Sequence, residues 1–291
     1  MLSCLMVDDQ ATLMFKQGYE LWNQGQHTES LAAYKKAVQL KPDYVDAWYY
    51  LGYSLENLGR YEQALANYDQ VIRLAPNHPY AWYRRGGVLL TKIHRYDQAV
   101  EAYKNFIQIH PTDYEGWYFL GDALVKLQQY SEAVNSYCQA VIINITNYWD
   151  WCERVNNLQE LQQKQEALRL CEAIVTGLDN MVAITDISDY ERDAIPECWY
   201  VLADCFLALE SYEQAVVICN KALESKPNER LFWYSLGKAQ ELLQCYEEAI
   251  KSYERAIEIE PNFLEARKGL ERVLLQKLNI KNETLQHKIG E

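Results

Sequence analysis

The chain has 291 residues, and its 41 Asp and Glu residues outnumber its 28 Lys and Arg residues, giving a formal net charge of −13. This charge disfavours DNA, RNA and anionic membrane surfaces as partners, because binding to phosphate groups requires clustered Lys and Arg side chains. Hydrophobic residues make up 49% of the chain, which is enough for an extensive core and excludes a generally disordered protein.

Residues 1–10, MLSCLMVDDQ, form a short N-terminal segment in which no basic residue precedes the apolar stretch. This segment lacks the charge pattern of a secretory signal. No run in the chain approaches the roughly 18 apolar residues that a membrane-spanning helix needs. The sequence therefore predicts a cytoplasmic protein that does not insert directly into a membrane.

From residue 11 onwards the sequence repeats, and the repeat is most visible in the spacing of tryptophan. Trp48, Trp82 and Trp117 are separated by 34 and 35 residues. Other residue types recur in the same register. The recurring positions are Gly18, Gly52, Gly86, Gly121 and Gly237; Ala64, Ala99, Ala133, Ala167, Ala215 and Ala249; Tyr34, Tyr68, Tyr103, Tyr137 and Tyr253; and Pro42, Pro76, Pro111, Pro227 and Pro261. A period of this length indicates a stacked array of similar structural units.

Each repeat contains two stretches with helical spacing. In the second repeat, Trp48, Leu51 and Gly52 fall on one stripe of a first helix. Glycine inside a helix costs about 1 kcal/mol relative to alanine, so we expect Gly52 to permit the close approach of another helix. Tyr68 belongs to a second helical stripe, and Pro76 ends that helix because it lacks an N–H group.

The order W-x2-L-G, alanine, aromatic residue and proline, on a period of 34 residues, resembles the tetratricopeptide repeat family. Seven units follow this order, namely 11–44, 45–78, 79–113, 114–147, 148–181, 196–229 and 230–263. The resemblance implies an all-α, right-handed superhelical solenoid of about seven helical hairpins, each burying its apolar face against its neighbours. It also implies that residues 264–291 contain a C-terminal capping helix, which we expect to end in a frayed tail.

Three units depart from the pattern, and the first of them, 11–44, has Met14 in place of tryptophan. The unit 79–113 contains one additional residue in its helix–turn region, between Gly86 and Ala99. The unit 148–181 is degenerate, because Arg154 and Val155 replace the Leu-Gly pair. We expect the degenerate unit to mark a bend or a second contact surface in the array.

A further departure is an insertion. Trp151 and Trp199 are separated by 48 residues, which exceeds one period by 14 residues and places the insertion at 182–195. This segment is acidic and rich in β-branched residues, and it shows no helical periodicity. We predict that this segment leaves the solenoid as a loop or an extra short helix and divides the array into residues 11–181 and 196–263.

No arrangement of residues predicts catalysis, a metal site or a cofactor site. The eight cysteines form no C-x-x-C pair and no histidine lies at metal-ligand spacing from them. The sequence contains no glycine-rich phosphate loop, no nucleophile elbow and no His-Glu zinc motif. Glu62, Glu101 and Glu132 are typical of the carboxylates in the chain, since they occupy solvent positions of predicted helices. We therefore predict a protein that is not an enzyme, with cysteines that serve as small core residues.

The residue that follows each tryptophan is a candidate for partner binding. The family resemblance implies that this position lies on the first helix and faces a concave groove. Tyrosine occupies it in five units, and tyrosine is enriched in binding surfaces, although it is also simply common at this position. With neighbouring groove positions added, the candidate partner-binding residues are Tyr49, Tyr53, Asn57, Tyr83, Arg84, Tyr118, Asp122, Tyr200, Asp204, Tyr234 and Lys238.

The groove positions carry nine acidic and four basic side chains among the tyrosines. This composition predicts a protein or peptide partner with Lys or Arg and apolar anchor residues. The predicted function is a non-catalytic protein–protein interaction module, such as a scaffold, adaptor or assembly factor. Two alternatives stay open: a regulatory or non-catalytic subunit of an enzyme system whose catalytic domain is on another chain, and a partner that binds the convex face or residues 182–195.

Overall fold

In the part of the chain that it describes, the computed structural model contains fifteen α-helices and no strand. It describes the backbone of residues 2–145, 148–182 and 189–289 and the side chains of residues 8–145, 150–181 and 195–281. The helices form two compact units, unit 1 (Met1–Ile143) and unit 2 (Asn144–Glu291). The predicted all-α architecture of stacked helical hairpins is confirmed within each unit.

Unit 1 consists of four hairpins. Their first helices are α1 (Leu2–Asn23), α3 (Val45–Asn57), α5 (Ala81–Val88) and α7 (Tyr114–Lys126), and their second helices are α2 (His27–Leu40), α4 (Tyr61–Leu74), α6 (Tyr96–Ile109) and α8 (Tyr130–Ile143). Each second helix packs against the first helix of its own hairpin, and α2, α4 and α6 also pack against the first helix of the next hairpin. This arrangement makes the core of the unit continuous from one repeat to the next.

Unit 2 consists of three hairpins and a final helix. The hairpins are α9 (Tyr148–Glu160) with α10 (Lys164–Val182), α11 (Asp189–Ala208) with α12 (Tyr212–Ser225), and α13 (Arg230–Leu242) with α14 (Tyr246–Ile259). The final helix is α15 (Leu264–Ile289), and it packs against α13 and α14. The predicted capping helix is therefore present.

Two helices extend beyond the boundaries that the repeat pattern suggests. Residues 1–10 are predicted as a separate segment, but α1 already begins at Leu2. The end of the chain is predicted to fray, but α15 continues to Ile289. In both regions the sequence contains no proline, and the only glycine within α15 is Gly269, so nothing in the sequence interrupts the helix.

Part of the insertion at residues 182–195 is helical, and this part belongs to α10 and α11 rather than to a separate short helix. Val182 is the last residue of α10, and α11 begins at Asp189 and includes Pro196. A sequence with acidic residues at positions 189 and 191 favours a helix N-terminus there, because negative charge is stabilised at the positive end of the helix dipole. The remaining residues of the insertion, 183–188, lie outside the described residues.

The additional residue of the third repeat is accommodated by a π-helical turn. Residues Leu89–Ile93 continue α5 as a π-helix, and His94 ends it in the left-handed conformation with φ 61°. A single π-helical turn absorbs one extra residue without breaking the helix. The prediction that the extra residue lies between Gly86 and Ala99 is confirmed.

The recurring glycine and tyrosine positions of the repeats meet inside each hairpin of unit 1. A Cβ atom added at Gly52 would lie 2.9 Å from Cε1 of Tyr68, and one added at Gly18 would lie 2.8 Å from Cδ1 of Tyr34. Both tyrosine rings are completely buried. The predicted close approach at glycine is confirmed, and the group that approaches is the tyrosine ring of the second helix.

Tryptophan fixes the turns between repeats. The indole N–H of Trp48 donates a hydrogen bond to the carbonyl oxygen of Pro42 at 2.8 Å, and Trp82 donates in the same way to Pro76 at 2.9 Å. The corresponding bonds in later repeats are Trp117 to Pro111 at 3.0 Å and Trp233 to Pro227 at 2.8 Å. The indole ring therefore packs against its repeat while its N–H group secures the preceding turn.

Gly86 and Gly87 provide a matched test of this packing. A Cβ atom at Gly86 would lie 2.9 Å from Cζ of Tyr103, whereas the nearest atom at Gly87 is the hydroxyl oxygen of Tyr103 at 3.8 Å. We expect Gly86→Ala to lower the free energy of unfolding by about 1–3 kcal/mol through overpacking. We expect Gly87→Ala to raise it by about 0.5–1 kcal/mol, because alanine loses less backbone entropy in a helix. Urea denaturation followed by circular dichroism measures both, and shifts of the same sign would contradict this account.

Candidate functional site

The first helices of successive hairpins lie side by side and form one surface in each unit, which we call the first-helix face. In unit 1, the Tyr19 ring of α1 is 5.8 Å from the Tyr50 ring of α3, and the Tyr83 ring of α5 is 5.9 Å from the Phe119 ring of α7. The predicted partner-binding residues all belong to first helices. Within each unit they therefore share one surface.

Carboxylates on the first-helix face accept hydrogen bonds from the buried tyrosines. The Tyr68 hydroxyl donates to Oε2 of Glu56 at 2.6 Å, and the Tyr137 hydroxyl donates to Oδ1 of Asp122 at 2.7 Å. Burial raises the pKa of Tyr68, and the adjacent Glu56 carboxylate raises it further. These acids thus satisfy hydroxyl groups that would otherwise be buried without a partner.

The same arrangement occurs in unit 2 and includes a cation. The Tyr253 hydroxyl donates to Oε2 of Glu241 at 2.8 Å, and Glu241 is only 8% exposed. Arg272 of α15 binds this carboxylate through two nitrogens, with its Nη2 2.7 Å from Oε2 and its Nε in contact with Oε1. A bidentate pair of this kind both neutralises and orients the carboxylate. The sequence did not predict this contact, because Arg272 lies on the capping helix, outside the repeat register.

Arg84 brings together several of the predicted residues in unit 1. Its Cζ atom lies 4.7 Å from the centroid of the Tyr53 ring, and its Nη1 lies 3.7 Å from Oε1 of Glu56. Burial raises the pKa of Tyr49, and the neighbouring Arg84 guanidinium opposes that rise. Tyr49, Tyr53, Glu56 and Arg84 therefore form one cluster, which we call the Arg84 cluster.

Tyr83 and Tyr118 belong to an aromatic cluster that reaches from the surface into the core. The Tyr83 ring is 5.4 Å from Phe106 and 6.3 Å from Tyr103. The Tyr118 ring is 5.1 Å from Phe119. Both tyrosines are half-buried, so each contributes to packing and still presents part of its ring at the surface.

Asn57 is not brought into either cluster of unit 1. Its side-chain Nδ2 donates a hydrogen bond at 2.8 Å to the carbonyl oxygen of Tyr53, four residues earlier in the same helix. The side chain is exposed. Its predicted role in partner binding has no support from these contacts.

Unit 2 contains an open cleft of about 470 Å³, and two of the predicted residues line it. Tyr200 and Tyr234 line it together with Phe263, whose ring is 5.2 Å from that of Tyr234. Arg230 lies over the Phe263 ring at 5.5 Å and forms an ion pair with Glu260. The cleft therefore combines aromatic walls with charged groups at its margin.

Asp204 and Lys238 lie close to one another on the same face of unit 2. Desolvation raises the pKa of Asp204, whereas the positive charge of Lys238 and hydrogen bonds with the side chains of Tyr200 and Ser235 oppose that rise. Burial raises the pKa of Tyr200 to about 12, and the charge of Asp204 adds to the rise. Tyr200, Asp204 and Lys238, which the sequence assigns to the same groove, therefore lie close together on the first-helix face of unit 2.

The buried cysteines are core residues. Cys152, Cys171, Cys205 and Cys219 are at most 3% exposed. Burial raises the pKa of the Cys219 thiol to about 12. Among the side chains that the structure describes, no group of three or more His, Cys, Asp and Glu residues is arranged to hold a metal ion. Over the same residues, no helix is long and apolar enough to cross a membrane.

Comparison with sequence families supports the repeat register. Sequence models of the tetratricopeptide repeat match residues 15–79, 53–92 and 91–148, residues 196–229 and residues 231–263. Together the matches cover more than half of the chain. A search of the curated proteins finds no match.

Solved structures share the fold. MamA (residues 41 to the end) from Desulfovibrio magneticus RS-1 is 24% identical with a TM-score of 0.51, and the match covers 61% of this chain and 98% of that chain. A tetratricopeptide repeat protein from Parabacteroides merdae is 14% identical with a TM-score of 0.51, and the match covers 91% of this chain and 99% of that chain. Similarity at these identities shows the fold alone.

The raised tyrosine pKa values predict a loss of stability at alkaline pH. Burial raises the pKa of Tyr34 to about 12, whereas an exposed tyrosine ionises near 10. Because the folded-state pKa exceeds the unfolded-state value, the stabilisation is complete below about pH 10 and is lost as the pH rises through about 12. Tyr34→Phe removes the ionising hydroxyl, so we expect it to reduce this alkaline loss by about 3 kcal/mol. Urea denaturation at a series of alkaline pH values measures the effect, and equal slopes for both proteins would contradict it.

Proposed function

The chain belongs to the tetratricopeptide repeat family, and from this premise we propose that it is a non-catalytic module that binds a partner protein or peptide on its first-helix face. A scaffold, an adaptor and an assembly factor all act in this way. The observation that supports the proposal most directly is the set of half-buried tyrosines on this face. Tyr49, Tyr83 and Tyr118 are held by core contacts but keep part of each ring accessible.

Rings held in this way suit partner binding. A tyrosine that already packs against its neighbours loses little side-chain entropy when a partner covers it. Tyr49, for example, is fixed by Tyr68 at 6.0 Å and by His78 at 4.9 Å between ring centroids. The hydroxyl group can form hydrogen bonds while the ring provides apolar contact area. Rigid amphipathic rings therefore give both affinity and orientation.

The face suits a partner segment that contains Arg or Lys beside apolar residues. Arg84 illustrates this chemistry within the chain, because its guanidinium stacks on Tyr53 and pairs with Glu56. An arginine of a partner would make equivalent contacts at other positions of the face, where rings and carboxylates also adjoin. Asp46 in unit 1 and Asp204 in unit 2 are exposed acids at such positions.

Selection of peptides displayed on phage tests the proposed partner chemistry. We expect the full-length protein to enrich peptides in which Arg or Lys lies near an aromatic or aliphatic residue. Binding of these peptides should weaken as salt increases, since charges on the surface are screened over about 8–10 Å at physiological ionic strength. Enrichment of acidic peptides, or binding that is insensitive to salt, would contradict the proposal.

A matched pair of double variants locates the binding surface. Asp46→Asn with Asp204→Asn removes two exposed negative charges from the first-helix face, one in each unit. Glu101→Gln with Glu132→Gln removes the same charge from exposed positions of the second helices α6 and α8. We expect the first pair to weaken binding of the selected peptides roughly tenfold, mainly through slower association, and the second pair to have little effect. Equal effects would show that the face is not the site.

A further inference from the structure

The capping helix α15 carries an exposed leucine stripe in addition to its packed face. Ala266 and Val273 are completely buried against the last hairpin. In contrast, Leu274 is 48% exposed, Leu275 is 55% exposed and Leu278 is 53% exposed. Exposed leucines this close together on one helix leave an apolar face without a partner in the described part of the chain.

The stripe has the spacing of a helix–helix seam. Glu271, Leu274, Leu278 and Lys281 follow each other at intervals of three, four and three residues, which is the spacing of the a and d positions of a coiled coil. Leu274 follows the buried Val273 directly, so the stripe is rotated from the packed face by about 100°. A second helix can therefore reach the stripe without displacing α13 or α14.

The stripe is complementary to itself when two copies run antiparallel. Residue 276 is the midpoint of Leu274 and Leu278, and it is also the midpoint of Glu271 and Lys281. A two-fold axis beside residue 276 would place Leu274 of one copy opposite Leu278 of the other, and each Glu271 opposite a Lys281. We propose that a second copy of this chain docks here, so that the protein forms a symmetric dimer through an antiparallel pair of α15 helices.

The charges on α15 favour this occupant and this direction. Lys277 pairs with Glu247 at 2.5 Å and Arg272 binds Glu241, so these two cations serve the fold of unit 2. Among the side chains that the structure describes, neither Glu271 nor Lys281 forms an ion pair. In a parallel pair of helices, Glu271 of one copy would lie beside Glu271 of the other, and this contact between like charges is unfavourable.

The self-complementary seam predicts the strength of the dimer. Only two leucine layers and two Glu–Lys pairs contribute to the seam, so the interface lies at the small end of protein–protein interfaces. The dimer should therefore dissociate on dilution rather than persist as an obligate assembly. An isologous contact also closes on itself, so the association should stop at two copies.

Sedimentation velocity of the full chain over a concentration series tests the proposal. We expect a monomer–dimer equilibrium, and we expect Leu278→Gln to raise the dissociation constant at least roughly tenfold through the loss of apolar burial. Val217→Gln is the control, because Val217 is 55% exposed in the same unit but lies on α12, outside the seam. A chain that stays monomeric at all concentrations, or a dimer that both variants leave unchanged, would overturn the proposal.

Charge reversal tests the antiparallel register. Glu271→Lys and Lys281→Glu should each weaken the dimer roughly tenfold when present alone, because like charges then meet in the seam. An equimolar mixture of the two variants should form a heterodimer of about the original affinity, since the lysine introduced at position 271 of one copy would face the glutamate introduced at position 281 of the other. The double variant should likewise dimerise as the unchanged protein does. If neither the equimolar mixture nor the double variant restores association, the antiparallel pairing is overturned. Circular dichroism verifies that each variant is folded.

Discussion

The contact between a glycine of the first helix and a tyrosine of the second helix determines how each regular hairpin is built. At Gly121 there is no room for a Cβ atom, because such an atom would overlap the ring of Tyr137. The glycine weakens its own helix, but it allows the tyrosine ring to cross the hairpin. The hydroxyl group then emerges on the first-helix face, where Asp122 accepts its hydrogen bond. One contact thus links the packing of the core to the chemistry of the surface.

The irregular repeats support this interpretation, because the glycine position of the first helix and the tyrosine position of the second helix change together. Where the second helix has Cys171 or Cys219 in place of tyrosine, the first helix has Val155 or Ala203 in place of glycine. All four side chains are at most 1% exposed, so a smaller residue on one helix is matched by a larger residue on the other. The core stays filled, but no buried hydroxyl reaches the face. Asp204 is accordingly stabilised by Lys238 rather than by a tyrosine of the second helix.

The repeat period was sufficient to predict the helices and their pairing, because stripes of apolar residues report which side of each helix is buried. It also located the extra residue that forms the π-helical turn after Val88. It did not predict that residues 189–195 belong to α11, since the Pro196 position resembled the start of a repeat. The contact of Arg272 with Glu241 was likewise missed, because periodicity within one helix contains no information about a hydrogen bond to another.

The acids of the first-helix face differ in how far they are available to a partner. The sequence suggests that all of them are available, but Glu56 already accepts a bond from Tyr68 and lies 3.7 Å from Arg84. Neutralising such an acid would leave a buried hydroxyl poorly satisfied, at a cost of about 1–3 kcal/mol. Acids that hold the core are therefore poor sources of binding energy, and exposed acids such as Asp46 and Asp204 can contribute more. In the proposed function, charge on this face would set which partners approach, while the fixed tyrosine rings would provide the contact area that retains them.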